Sequence, residues 1–237
     1  MYLGFEGDIR EMNTSNISVN TQSSIRITGS KNLYFDPFRI VEEPHDADII
    51  LITHSHQDHL DPLSISRIVN EKTMFIVPLS MGREIRAMVG DSELVLMAPD
   101  DTRDVDGISV LATPAYNRLK PFHQKQFGWL GYVVMMDGIR YYVSGDTDGV
   151  NELSSVVCDV ALVPIGGTYT MSAKEAAKLV NRIHPLVAIP THYGTIVGKP
   201  GDADTFRGYV TRKPSVNTTH KNPAVSILPQ MKKCALS

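Results

Sequence analysis

Short apolar runs rich in isoleucine, valine and leucine recur along the chain, each ended by Gly, Pro, Asp or a charged cluster. This is the pattern of brief, well-buried strands. Strands are predicted over residues 24–28, 33–36, 48–53, 74–77, 94–98 and 108–113. Between them, 62–70 and 80–89 read as helices, the first with Asp61 as N-cap and Pro62 at the first helical position. In the second half, strands 129–136 and 139–144 flank Asp137-Gly138, a dipeptide suited to the left-handed residues of a tight hairpin. Residues 159–164 and 186–191 read as buried strands. Residues 172–183 read as a helix, opened by a capping box from Ser172 to Glu175 and stopped by Pro185.

One internal echo runs through this pattern. Residues 48–53 and 159–164 both place an Asp before an unbroken apolar stretch. Strands 51–53 and 189–191 both run into a Thr-His pair, Thr53-His54 and Thr191-His192. Buried strands look alike, so the echo carries little weight alone. No linker or low-complexity segment parts the halves, so residues 1–237 are expected to form a single domain.

The chemistry is concentrated in Thr53-His54-Ser55-His56-Gln57-Asp58-His59, directly after the apolar Ile49-Ile50-Leu51-Ile52. Three imidazoles and a carboxylate on one turn make a poor core and a good cation site. Neutral histidine and ionised aspartate are ligands that zinc prefers, and they also suit manganese or iron. A metal-binding protein is predicted, with Zn2+ as the leading ion.

The His-x-His-x-Asp-His pattern after a strand resembles that of the metallo-β-lactamase superfamily of metal-dependent hydrolases. The resemblance continues through most of the chain. Leu33-Tyr34-Phe35-Asp36 is similar to the early strand ending in an aspartate that supports the metal site. Ser144-Gly145-Asp146-Thr147 resembles the Gly-Asp motif whose carboxylate bridges two metals, and Pro190-Thr191-His192-Tyr193 the last histidine motif. Pro164-Ile165-Gly166-Gly167-Thr168-Tyr169-Thr170-Met171 is similar to a segment of the branch that includes phosphorylated-ascorbate lactonases and N-acyl-phosphatidylethanolamine phospholipase D. The fold this resemblance implies is a four-layer α/β/β/α sandwich with the site at one edge of both sheets, which suits the echo between the halves.

The resemblance also implies how the ligands divide. His54 and His56 would hold a first ion, Asp58, His59 and His192 a second, with Asp146 bridging both. Asp36 would orient a ligand histidine by accepting its other N–H. A third histidine normally follows the strand that ends the first half. Here the chain reads Pro114-Ala115-Tyr116-Asn117, and the nearest histidine is His123. Either the loop folds His123 back into the first site or that site has weaker ligation; the reading taken is His123. His45, His184 and His220 are read as surface groups.

Composition limits the partners. At 237 residues, with 42% hydrophobic and 21% charged positions, the chain can bury a substantial core. Its formal net charge of −3 lacks the basic surplus of nucleic-acid binders, so no nucleic-acid partner is expected and nuclease function is disfavoured. Cys158 and Cys234 are too few for a disulfide scaffold, and the N-terminus lacks a signal-peptide pattern, so a cytoplasmic location is expected. No apolar run reaches the length of a membrane span. The sequons at Asn13, Asn16 and Asn217 are then expected to be idle. The terminal Cys234-Ala235-Leu236-Ser237 formally matches a prenylation box after Lys232 and Lys233, against an expectation of an unmodified end. Oligomeric state is not legible.

The activity expected is that of a metal-dependent hydrolase using a metal-bound hydroxide, with Asp58 orienting it. The branch resemblance implies a small-molecule substrate with a lactone, ester or phosphodiester bond. Lys120 and Lys125, which flank His123, are candidates to meet a phosphate, and Tyr193 and Thr168 are looser candidates for substrate contact. The alternatives are a di-iron redox protein and a non-catalytic metal-binding or sensing protein on the same fold. Di-iron relatives place a glutamate where this chain has His56, which favours zinc.

Overall fold

The structure is a computed structural model describing residues 14–211 and the backbone of Ser215–Val216. Asn13, Asn217, His220, the N-terminal segment read for a signal peptide and the Cys234 tail lie outside the described residues.

The first half forms β1 (Ile17–Val19), β2 (Ile25–Thr28), β3 (Asn32–Phe35), β4 (Ile49–Leu51), α1 (Pro62–Ile68), β5 (Met74–Pro78), α2 (Gly82–Val89) and β6 (Leu94–Met97). The second forms β7 (Thr102–Val105), β8 (Ile108–Pro114), β9 (Leu130–Met136), β10 (Ile139–Val143), β11 (Val160–Pro164), α3 (Ala173–Ile183), β12 (Val187–Thr191), α4 (Asp202–Tyr209) and β13 (Ser215–Val216). Every predicted strand and helix is present, with ends moved by one or two residues. Local chemistry sets the helix starts. Asp61 accepts the Leu63 N–H at the head of α1, and Ser172 and Glu175 form the capping box of α3.

Two sheets follow chain order, β1 to β6 in one and β7 to β13 in the other. Each begins antiparallel and turns parallel, at β3–β4 and at β10–β11. Helices α1 and α2 make crossovers on the first sheet, α3 and α4 on the second, as parallel pairs require.

Burial alternates along the strands and separates the layers. On β4, Ile49 and Leu51 enter the core shared by both sheets, while Ile50 turns to the cluster that α1 and α2 cover with Ile65, Ile68 and Ile85. On β11, Val160 and Leu162 join the shared core, while Ala161 and Val163 pack beneath α3 with Ala176, Leu179 and Val180. The chain is thus a four-layer α/β/β/α sandwich.

Both sheets meet at the edge where β3, β4, β8, β10, β11 and β12 end. The Leu130 N–H donates to the Thr53 carbonyl at 3.1 Å, the Tyr132 hydroxyl to the Ile52 carbonyl at 2.8 Å, and the His192 N–H to the Gln22 carbonyl at 2.9 Å. These bonds pin the loops of one sheet to the strands of the other.

Candidate metal centre

Asp36 follows β3 with its side chain fully buried, in the left-handed region at φ 46°. It accepts the Thr53 N–H at 2.8 Å and the Thr53 hydroxyl at 2.7 Å, and its Oδ2 lies 2.7 Å from His59 Nδ1. Because the Thr53 hydroxyl proton goes to Asp36, its oxygen is left to accept from His54 Nδ1, 2.9 Å away. One buried carboxylate therefore orients two histidines, placing N–H on Nδ1 of both and turning Nε2 inward, with a lone pair on His54 and, once the His59 ring gives up its second proton, on His59 as well.

Those Nε2 atoms face other ring nitrogens and carboxylate oxygens. His54 Nε2 lies 3.1 Å from His56 Nδ1 and 3.3 Å from His123 Nε2. Beside this trio, His192 Nε2 is 3.3 Å from Asp58 Oδ2, and His59 Nε2 is 3.8 Å from the same oxygen. Asp146 sits between the groups: its Oδ2 is 3.3 Å from both His123 and His192 Nε2, and its Oδ1 is 3.5 Å from His59 Nε2. Two sets of three residues thus have donors close enough to share an ion, His54 with His56 and His123, and Asp58 with His59 and His192. A third set, Asp36 with His54 and His59, has the Asp36 oxygens already committed to Thr53 and His59.

The electrostatics suit a cation. Burial first, then the neighbouring His59, holds His54 well below the usual histidine range, and burial lowers His56, so both rings are neutral. His59 Nε2 and Asp146 Oδ1 are buried with no hydrogen-bond partner. Burial opposes charge on His59, yet Asp146 and Asp36 raise it well above the usual range. Burial likewise opposes the Asp146 and Asp58 carboxylates, and the histidines around them hold both below the usual range. A bound metal would satisfy every one of these atoms, so the residues present fit the group.

The structure brings His54, His56, Asp58, His59, His123, Asp146 and His192 to this one place, with Asp36 behind them. His123, at φ 58° and 1% exposed, is carried inward by the loop after β8. Three contributors were not among the candidate site residues. Gln22 reaches Asp58 at 3.4 Å and takes a hydrogen bond from Thr195; Thr53 relays Asp36 to His54; Asn117 holds the His123 loop. Thr53 was legible as the residue before His54, while Gln22 lies far from the motif in sequence. Lys120 is paired with Asp148 and the Thr170 carbonyl, and Lys125 with Glu152, so neither is brought to the cavity. Tyr193 and Thr168 do not line it either. His45 and His184 are exposed.

A cavity of about 560 Å³ opens over the cluster, and His56, Asp58, His123, Asp146 and His192 reach it. Its other walls include Phe38, Arg39, Phe122, Tyr169 and Ile196. Among the described residues, no helix is long and apolar enough to cross a membrane.

Residues 15–193 match the model of the β-lactamase superfamily domain. A UPF0173 metal-dependent hydrolase of Thermococcus kodakarensis is 33% identical over 204 residues, covering 80% of this chain and 89% of the relative. Among solved structures, one from Parabacteroides distasonis, assigned as a metal-dependent hydrolase, superposes with a TM-score of 0.68 at 26% identity. It covers 85% of this chain and 90% of that one. The metallo hydrolase Igni18 of Ignicoccus hospitalis superposes at 0.65 with 22% identity, over 81% of this chain and 90% of its own, a likeness of fold. With the family match spanning most of its length and the fold to go with it, the chain belongs to the metallo-β-lactamase superfamily.

Proposed function

We propose that this cluster is a two-metal hydrolytic centre, with His54, His56 and His123 on one ion, Asp58, His59 and His192 on the other, and Asp146 between them. The chain is a metal-dependent hydrolase of the metallo-β-lactamase superfamily. What carries the site assignment is the convergence of the His54, His56 and His123 ring nitrogens beside a buried His59 Nε2 and a buried Asp146 Oδ1 that have no hydrogen-bond partner. Zinc is the proposed metal because imidazole-rich sets with a few carboxylates suit it. When bound, such ions polarise the group under attack and lower the proton affinity of water.

The protein's own residues divide the remaining work. Asp36 orients His59 directly and His54 through Thr53, so that both present Nε2. Asp58 is more open to solvent than Asp146 and is held ionised by His192 and His59 against its partial burial. Its Oδ2 makes the contacts to His192, His59 and Gln22, which leaves Oδ1 to accept a proton from attacking water.

The proposed substrate is a small molecule with a lactone, ester or phosphodiester bond, supported by the branch resemblance of residues 164–171 and by a cavity of small-molecule size. The proposal includes a single domain, supported by a core shared between strands of both halves, and a cytoplasmic location, supported by the free, buried thiol of Cys158.

Elemental analysis of protein purified without chelator, paired with a screen of lactones, esters and phosphodiesters, tests this reading. Two zinc ions per chain and turnover of one class are expected. Asp58→Ala should abolish hydrolysis while the fold persists. Protein that stays metal-free through zinc titration would overturn the assignment.

A further inference from the structure

One wall of the cavity is built for something other than holding metal. The turn after β3 brings Phe38 and Arg39 into it, and it is also lined by Phe122 and Tyr169, whose rings meet edge to face with centroids 4.9 Å apart. Arg39 is the one lysine or arginine lining this cavity, and it makes no salt bridge among the described residues. Lys120 and Lys125 are spent on carboxylates elsewhere.

The turn that carries Arg39 is held from several sides. The Asn20 amide donates to the Phe38 and Arg39 carbonyls at 2.9 and 3.1 Å. The Phe38 N–H donates to Ser24 Oγ at 3.1 Å, the Ile40 N–H to Ser64 Oγ at 3.0 Å, and the Arg67 guanidinium to the Ile40 carbonyl. Arg39 itself sits at φ 51°, which costs a residue with a side chain about 1–2 kcal/mol. Asp61, which also lines the cavity, does not neutralise it. The Asp61 carboxylate is engaged by the Leu63 N–H and the Ser64 hydroxyl.

We propose that Arg39 binds an oxyanion of the substrate, a carboxylate or a phosphate, at the end remote from the bond that is cut, with an apolar segment lying against Phe122 and Tyr169. The guanidinium fork matches both anions, and an oxyanion is what an arginine with no carboxylate partner, lying over the Phe38 ring at 5.0 Å from its centroid, selects beside an apolar wall. This subsite rests on the metal-centre reading, because the metals fix the other end of the substrate.

Hydroxamates, which chelate metals through one end, separate the two readings. Calorimetric titration of the zinc-loaded protein would compare hexanohydroxamate, adipic acid monohydroxamate and a chain of matching length ending in a phosphonate. An affinity gain of about tenfold or more for a charged tail is expected in the wild type. That gain should vanish in Arg39→Gln and partly return in Arg39→Lys, with circular dichroism confirming that both variants fold. The anion that gains more names the natural group. Equal affinity for neutral and charged tails in the wild type, or a preference that survives Arg39→Gln, overturns the subsite. Binding of no hydroxamate by the zinc-loaded protein likewise overturns the subsite, whereas protein that takes up no zinc beforehand brings down the metal centre and the subsite with it.

Discussion

Asn117 and His123 close a ring: the Asn117 backbone N–H donates to the His123 carbonyl at 2.7 Å. The Asn117 amide donates to the Phe122 carbonyl at 3.1 Å and to the Tyr169 carbonyl at 2.6 Å. The loop is thereby tied to itself and to the segment after β11. In the region where the superfamily pattern has a third histidine, this chain has a residue that places a histidine further on.

Asn117→Ala should therefore act on metal binding. It removes both amide donors but no proposed ligand, and it should lower metal content toward one ion per chain, as His123→Ala should. Asn117→Asp supplies oxygens where the carbonyls need N–H groups, so it should not rescue. Equilibrium dialysis against zinc with elemental analysis decides the matter. Two ions retained in Asn117→Ala would make the ring dispensable, and two ions with full activity in His123→Ala would strike His123 from the ligand set.

A second expectation concerns the proton on His59. Burial disfavours its charge, but Asp146 and Asp36 hold its titration well above the usual range in the metal-free protein. This charge stabilises the metal-free fold at pH values below the ordinary histidine range, and the contribution is lost as pH rises through the raised folded value. Zinc needs the Nε2 lone pair, so metal uptake at neutral pH should release about one proton from this residue. Calorimetry in buffers of different ionisation enthalpy measures it. His54 and His56, kept neutral by burial, should release none. Asp36→Asn should weaken zinc binding about 10–100-fold, the usual effect of removing a ligand's hydrogen-bonding partner. Proton-neutral uptake in the wild type would contradict this account.

Most of the frame was legible because its signals are local. The run from His54 to His59, the Asp61 cap, the Asp137-Gly138 turn and the box at Ser172 each act within a few residues. Four elements were not predicted. β1 is a three-residue edge strand with one buried side chain, α4 buries only Ala203 and Phe206, and β13 has two residues. β7 reads Thr-Arg-Asp-Val with three exposed positions, and its backbone pairing with β8 supplies what its side chains do not. A signal for β7 was present: Asp106-Gly107, with φ 52° and 80°, makes the same kind of turn as Asp137-Gly138. Gln22 and Asn117 act on groups brought near by the packing of the two sheets and by loop closure, which no periodicity encodes. Lys120 and Lys125, neighbours in sequence to His123, turn away from it to reach Asp148 and Glu152.

Gly166 offers a test of how tightly the late histidine is seated. A Cβ there would lie 2.4 Å from the His192 carbonyl oxygen and 2.6 Å from Val197 Cγ2. The backbone oxygen cannot swing aside as a side chain would, so Gly166→Ala must displace the His192 turn. It should cost about 1–3 kcal/mol in denaturant unfolding of the metal-free protein. It should also weaken the ion proposed for Asp58, His59 and His192. Stability and zinc affinity equal to wild type would mean that this contact relaxes freely.

Cys158 tests the packing beneath α3, away from the centre. Its thiol is buried in the cluster that includes Leu153, Val156 and Val180, in the layer between that helix and the second sheet. Burial first, then Asp159, pushes it up to about 12 from its ordinary 9.0, with Arg140 opposing. At pH 8 its thiolate fraction in the native state is then on the order of one in ten thousand. A thiol reagent should leave Cys158 unmodified in the native protein and label it on unfolding, with peptide mapping to separate it from Cys234. The linkage has a definite sign. Above about pH 9 the unfolded thiol loses its proton while the folded one keeps it, so stability falls as pH climbs toward about 12. Cys158→Ala should flatten that alkaline slope in denaturant melts, although the smaller side chain lowers stability at every pH. Rapid native labelling at pH 8, or a slope unaltered by the substitution, would show that the α3 layer admits solvent where the structure packs it closed.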